Sequence, residues 1–181
     1  MHLTEPVVSS LTVEYWVNML DPHLQQATLF GYSAYSVTGR FGDGGPIYEN
    51  ANEFTIMHAS TYTRLFHSTS SYDFDSATQV YADSGNWTHV ALVWSSDPDA
   101  APHGQLAYYA NGRLVASGTQ CASRECDMGF PVQPYGVLHL GQEADKPWGD
   151  FDELQAFTGL VDEVRVWTSA RTDEQILVHA P

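Results

Sequence analysis

"LTVEYWVNM" (residues 11–19) sets Leu11, Val13, Tyr15, Val17 and Met19 against Thr12, Glu14, Trp16 and Asn18. Apolar residues at every second position mark a strand with one face buried. The same rhythm returns along the chain. "ATLFGYSAYSV" (27–37) reads as a second strand, and "NEFTIMH" (52–58) and "TRLFHST" (63–69) follow, separated by a short polar turn. "NWTHVALVWSS" (86–96) is the most apolar of the series and reads as a central strand. "GQLAYYANGRLVASG" (104–118) is a hairpin, because Asn111-Gly112 supplies the two positive-φ positions of a type I′ turn between β-rich arms. "GVLHLG" (136–141) and "FTGLVDEVRVW" (157–167) complete the strands.

Only "SARTDEQILVHA" (169–180) has helical character, with Ser169 or Thr172 as cap, Asp173 and Glu174 in the first turn and an Ile176/Leu177 face. The loop "DPDAAPHG" (97–104) is Pro-rich and surface-like. Short strands at regular spacing with Gly, Asn and Asp turns predict an all-β antiparallel sandwich with one short helix near the C-terminus. Residues 1–181 read as one domain, with no internal repeat or linker. Met1 runs almost directly into the first strand, so no signal peptide is visible and the domain reads as one excised from a longer protein.

The chain has 22 acidic and 7 basic residues, a formal charge of −15. Phosphate-binding surfaces need clustered Lys and Arg, so nucleic acid is excluded as a partner. The same balance argues against an anionic membrane surface, and no apolar run is long enough to insert in a bilayer. A charge of this sign fits solubility in salt, a cation site, or both.

"GQEADKPWGDFDELQAFTG" (141–159) concentrates that charge. Glu143, Asp145, Asp150, Asp152 and Glu153 fall close together with Lys146 as the one cation among them. Like charges about 4 Å apart repel by roughly 1 kcal/mol even in bulk water. A divalent cation converts that repulsion into attraction, and calcium takes six to eight oxygen ligands from carboxylates, amides, backbone carbonyls and water. No soft donor sits in the stretch, so zinc or copper fits poorly. Gly141, Pro147 and Gly149 let the loop bend. The alternative is a solvated acidic loop of the kind common on acidic proteins.

The order of segments resembles the laminin-G-like and pentraxin group, jelly-roll sandwiches of the concanavalin A type. Trp87-x-His89-Val90-Ala91, the "YANGRLVASG" hairpin and the closing "GLVDEVRVW" carry the resemblance over nearly the whole chain. The run L-G-Q-E-x-D followed by F-D-x-x-Q-x-F-x-G (140–159) is similar to the pentraxin calcium loop. The resemblance implies that Glu143 and Asp145 bridge two calcium ions, that Asp152 and Gln155 complete the second, and that the Ala144 carbonyl serves the first. In "ENANEF" it matches Asn52 to a family ligand, with Ala51 where the family has Asp. It aligns Met57 and His67 with the region that lines the ligand pocket. In the family signature H-x-C-x-[ST]-W-x-[ST], this chain has Ala91 for the Cys and Val93 for the hydroxyl residue, and Glu14 stands where the partner Cys would lie. The inter-sheet disulfide expected of the family is therefore absent.

Trp148, in "KPWGD" between the two halves of the acidic loop, is a candidate aromatic platform for a ligand beside the ion, or a ring packed on the sandwich edge. Cys121 and Cys126 read as a local disulfide rather than a redox or metal pair, which places the domain in an oxidising setting. Asn86-Trp87-Thr88 is a glycosylation sequon at a strand start. Sandwich glycan hydrolases resembling family sixteen carry E-x-D-x-x-E or E-x-D-x-E on a strand, which spaces two carboxylates for glycoside hydrolysis. No such run exists here, and the adjacent Asp162 and Glu163 would point to opposite faces of their strand. The expectation is a non-enzymatic, calcium-dependent, extracellular or cell-surface module. It would bind a glycan or another oxyanion ligand. The alternatives are a protein-interaction domain in which calcium only rigidifies a loop, and a glycan-active enzyme.

Overall fold

The computed structural model describes residues 8–20, 27–34, 54–59, 62–67, 70–74, 85–118, 132, 136–146 and 149–180. They form β1 (Ser10–Met19), β2 (Ala27–Ser33), β3 (Phe54–His58), β4 (Thr63–His67), β5 (Ser70–Phe74), β6 (Thr88–Ser95), β7 (Leu106–Ala110), β8 (Arg113–Gly118), β9 (Val137–Leu140), β10 (Ala144–Lys146), β11 (Gly149–Phe151), β12 (Gly159–Trp167) and the helix α1 (Asp173–Leu177). One antiparallel sheet has the order β12-β1-β6-β7-β8, and the other β5-β4-β3-β2-β9. This is the antiparallel sandwich expected from the alternation, in the jelly-roll, concanavalin A-like form that the resemblance implies. Among the described residues no helix is long and apolar enough to cross a membrane.

The inner faces meet through large side chains. Val13, Tyr15 and Val17 of β1, Val90, Leu92 and Trp94 of β6, and Leu106 and Tyr108 of β7 pack on Leu29, Phe30, Phe54, Ile56, Leu65 and Phe74 of the second sheet. Trp94 is fully buried and stacks on His67 at 4.6 Å, with Phe54 edge-on at 6.0 Å. Tyr15 and His58 join the sheets by a hydrogen bond of 2.8 Å between the phenol and Nε2, and His58 Nδ1 lies 3.1 Å from Thr63 Oγ1.

Several expectations shift. β6 is central and wholly buried, as its composition requires. β1 is not half-buried, because Thr12 and Glu14 on its outer face are as covered as its core residues. Segment 168–180 lies over them: Thr12 Oγ1 donates to the Ser169 carbonyl and accepts from the Arg171 N–H. Ile176 of α1 is buried against Ala91, Val93, Ala107 and Tyr109. The helix is shorter than the expected 169–180. Thr172, not Ser169, caps it, in a reciprocal box with Gln175. Asn111 and Gly112 have φ of 48° and 73°, as the hairpin turn demands.

β5 was not anticipated, since "SSYDF" is short and polar. Asp162 and Glu163 do not simply alternate: Glu163 has φ 54°, in a bulge where β12 slips register against Glu14 and Trp16. Glu14 and Ala91 are direct partners on β1 and β6. A bridge between these positions would join two strands of one sheet, not two sheets. Cys121 and Cys126 lie outside the described residues.

Burial pushes the His58 imidazole down to about 3, so it stays neutral in the folded state. The unfolded chain binds that proton at the ordinary imidazole value of about 6.5. Its contribution to stability is full above that pH and is lost progressively as pH falls toward 3, at no more than about 1.4 kcal/mol per pH unit. Denaturant titrations of wild type and His58→Gln between pH 7 and 4 check this: the variant should show a shallower slope by up to one proton. Equal slopes would contradict it.

Candidate functional site

The acidic stretch leaves β9 at Gly141, whose φ of 75° turns the chain sharply. Its N–H donates to the Leu29 carbonyl, and its own carbonyl accepts from the Phe157 N–H. The segment between crosses the outer face of the β2–β9 edge. Thr28 bridges to Ala156, and Ser33 Oγ donates to the Ala144 carbonyl at 3.3 Å. Gly31 leaves room beneath: a Cβ there would lie 3.8 Å from the Gln142 carbonyl and 3.9 Å from His139 Cβ.

β10 and β11 pair antiparallel as a small ladder, in which Ala144 faces Phe151 and Lys146 faces Gly149. Phe151 is half exposed and meets the His139 ring edge-on at 5.5 Å. Asp152 then caps a 3-10 turn over 153–155, its carboxylate accepting from the Leu154 N–H at 2.9 Å and from Gln155 Nε2 at 3.2 Å. Gln142 Nε2 donates to the Asp152 carbonyl at 2.8 Å.

Two of the expected ligand side chains, Asp152 and Gln155, are therefore in contact, and the Ala144 carbonyl is fixed from below. A carbonyl oxygen has two lone pairs, so the Ser33 bond leaves it able to bind an ion. Glu143 is 3% exposed, an unusual burial for a carboxylate. Asn52, Trp148 and the side chain of Asp145 lie outside the described residues. Among the described residues no group of three or more His, Cys, Asp or Glu side chains stands close enough to hold a metal ion. The donors that are described are hard oxygens, which suits calcium. Gln155 can present Oε1 to an ion by turning its amide, because among the described residues only its Nε2 is engaged, in the hydrogen bond to Asp152.

Register separates the two residues expected in a ligand pocket. Residues directly opposite in a sheet share a face. Met57 pairs with Thr28 and Arg64, away from the core. His67 pairs with Phe54 and lies fully buried between the sheets, stacked on Trp94. Beside Met57 the outer face carries Arg64, which bonds Asp73 through Nε and Nη2 and sits 4.8 Å from the Tyr62 ring centroid. Sequence reasoning missed Gln142, Ser33, His139 and Phe151. Gln142 belongs to the quoted loop motif, but nothing in the string marks it as the clamp on Asp152.

A family model described as the concanavalin A-like lectin/glucanases superfamily matches residues 3–177. Neuronal pentraxin receptor of Rattus norvegicus is 35% identical over 92 residues, which is 51% of this chain and 17% of that protein. This chain thus spans about a sixth of that relative's length. A heptameric SAP-like pentraxin from Limulus polyphemus has a similar fold, with a TM-score of 0.73 and 23% identity over 97% of this chain and 71% of that one. A putative carbohydrate binding protein from Bacteroides ovatus superposes with a TM-score of 0.63 and 21% identity, over 98% of this chain and 42% of that one.

The capping geometry separates two roles of Asp152. Asp152→Ala should lower stability by about 1 kcal/mol, the usual worth of an N-cap. Asp152→Asn should keep the cap and melt close to wild type in chelator. Thermal melts of the three proteins in chelator check this, and equal destabilisation by both substitutions would contradict it.

Proposed function

Because the chain belongs to the concanavalin A-like lectin/glucanases superfamily, we propose that it is a calcium-dependent, non-catalytic binding module acting outside the cell. The observation that carries this reading is the contact of Asp152 with Gln155 on a loop that also carries Glu143 and Asp145. Calcium would be held by Glu143, Asp145, Asp152, Gln155, Asn52 and the Ala144 carbonyl. The ion supplies open coordination positions, and the chain's own residues supply orientation. Bonds from Ser33 to the Ala144 carbonyl and from Gln142 to the Asp152 carbonyl anchor the loop backbone, and the ion would draw its carboxylates together.

The ligand in this reading is a glycan with vicinal hydroxyls, or a phosphate or carboxylate, presented by a glycan or another extracellular protein. Trp148, within the loop, and Met57, on the outer face below it, are the side chains proposed to touch it. His67 acts from the other side of the sheet, by packing on Trp94. A Cys121–Cys126 disulfide fits the same oxidising setting. The second reading keeps the calcium but gives it only a bracing role, with no ligand at the ion.

Titration calorimetry with calcium should give a dissociation constant on the order of 10⁻⁴ to 10⁻³ M, as for extracellular modules. Glu143→Gln should weaken it most, since one bridging charge is lost. A glycan array read with calcium and then with chelator separates the two readings. Signals that chelator removes, and that Trp148→Ala lowers while leaving the calcium heat intact, support ligand binding at the ion. No calcium heat at millimolar concentration would sink the proposal, and calcium heat with an array that ignores chelator would leave the bracing reading.

A further inference from the structure

The outer face of the other sheet carries a charged cluster that the calcium site does not use. Glu14, on β1, is fully buried. Its Oε1 lies 3.2 Å from Arg171 Nε, and its Oε2 lies 2.8 Å from His179 Nδ1 and 3.5 Å from His89 Nε2. Arg171 and His179 both come from segment 168–180, which crosses this face. Trp167 gathers them: His179 stacks on its ring at 5.4 Å and 14°, and the Arg171 guanidinium sits 4.1 Å from the ring centroid. His89, on β6, is buried beneath, edge-on to Trp16, and among the described residues neither of its ring nitrogens makes a hydrogen bond.

We infer that segment 168–180 is an acid-released strap and that Glu14 is its latch. The argument is one of charge balance in a dry place. With both imidazoles neutral, one carboxylate faces one permanent cation. A proton on His179 is absorbed by its direct bond to Glu14. A proton on His89 meets only the Glu14 Oε2 that His179 already bonds, at the longer distance of 3.5 Å, and joins Arg171 and His179 around a single anion. An uncompensated buried charge is strongly unfavourable, and the cluster relieves it by letting Arg171 and His179 leave. Histidine is the side chain whose charge ordinarily changes between about pH 5 and 8.

The other charged groups near the strap do not offset this. Arg165, opposite Glu14 on β12, is paired with Glu163 at the surface. Asp173, at the start of α1, accepts from Tyr109 OH and from His103 Nε2. Burial raises the Asp173 carboxyl, but those two bonds outweigh it and leave the group below the usual range. That contact therefore survives mild acid, so release begins at the His179 end. It loosens Ile176 from the strip of Ala91, Val93 and Ala107 that it now seals, while Tyr109 stays bonded to Asp173.

Hydrogen exchange of the strap at pH 7.5 and 5.5, corrected for intrinsic rates and referenced to β6, tests the inference on the whole chain. In wild type the strap should lose at least about tenfold in protection at pH 5.5 while β6 keeps its own. His89→Gln, which cannot take the second charge, should retain strap protection at pH 5.5. Glu14→Gln should leave the strap open at both pH values. If that variant does not fold, wild type and His89→Gln decide. Equal wild-type strap protection at the two pH values would overturn the inference. So would loss in step with β6, or a His89→Gln strap that opens as wild type does.

Discussion

Trp94 is the contact on which the sandwich depends. It reaches from the central strand of one sheet to His67 and Phe54 of the other, and it is wholly shielded from water. Stacking with one ring and an edge contact with another hold β6 against β3 and β4 in one relative position. The Tyr15–His58 hydrogen bond and the tilted Phe74–Tyr108 pair, at 5.2 Å, repeat that link on either side. Sliding one sheet over the other would break all three at once. The loop and the strap on the two outer faces therefore rest on a rigid body.

Each outer face is then used differently. The face of β2 and β9 receives a loop of acids anchored at backbone positions, Leu29, Thr28 and Gly141. The face of β1 and β6 receives the C-terminal segment, anchored by one buried carboxylate. Where the related group has a cysteine pair, this chain has Glu14 opposite Ala91 on neighbouring strands. An ionic cluster spanning β1, β6 and the C-terminal segment occupies the place. It differs from a disulfide in kind, since it is ionic rather than covalent.

Much of this was legible in the residues themselves. Period-two alternation located the long strands, Asn111-Gly112 the hairpin turn, and Thr172 with Gln175 one of two candidate helix starts. The burial of both faces of β1 was not legible, because what covers Glu14 lies some 160 positions away and polar residues at an outer face look solvated. β5, β10 and β11 escaped for another reason: three to five residues with few apolar positions carry no period. In the candidate site, the motif named Asp152 and Gln155 together, and the two side chains share a hydrogen bond. The resemblance aligned Met57 and His67 with one pocket-lining region, although they face opposite sides of their sheet. That parity is set by the register Phe54–His67 across the turn between β3 and β4, and turn geometry fixes register more than composition does.

The account rests most on the claim that the acids at 143–155 are a cation site rather than a solvated loop. A crystal structure grown in millimolar calcium tests it most directly. The expected result is an ion ligated by the carboxylates of Glu143 and Asp152, with Gln155 turned to present its oxygen, at oxygen distances of about 2.3–2.6 Å. A loop with no ion and an unchanged Gln155–Asp152 hydrogen bond in well-ordered density would contradict it.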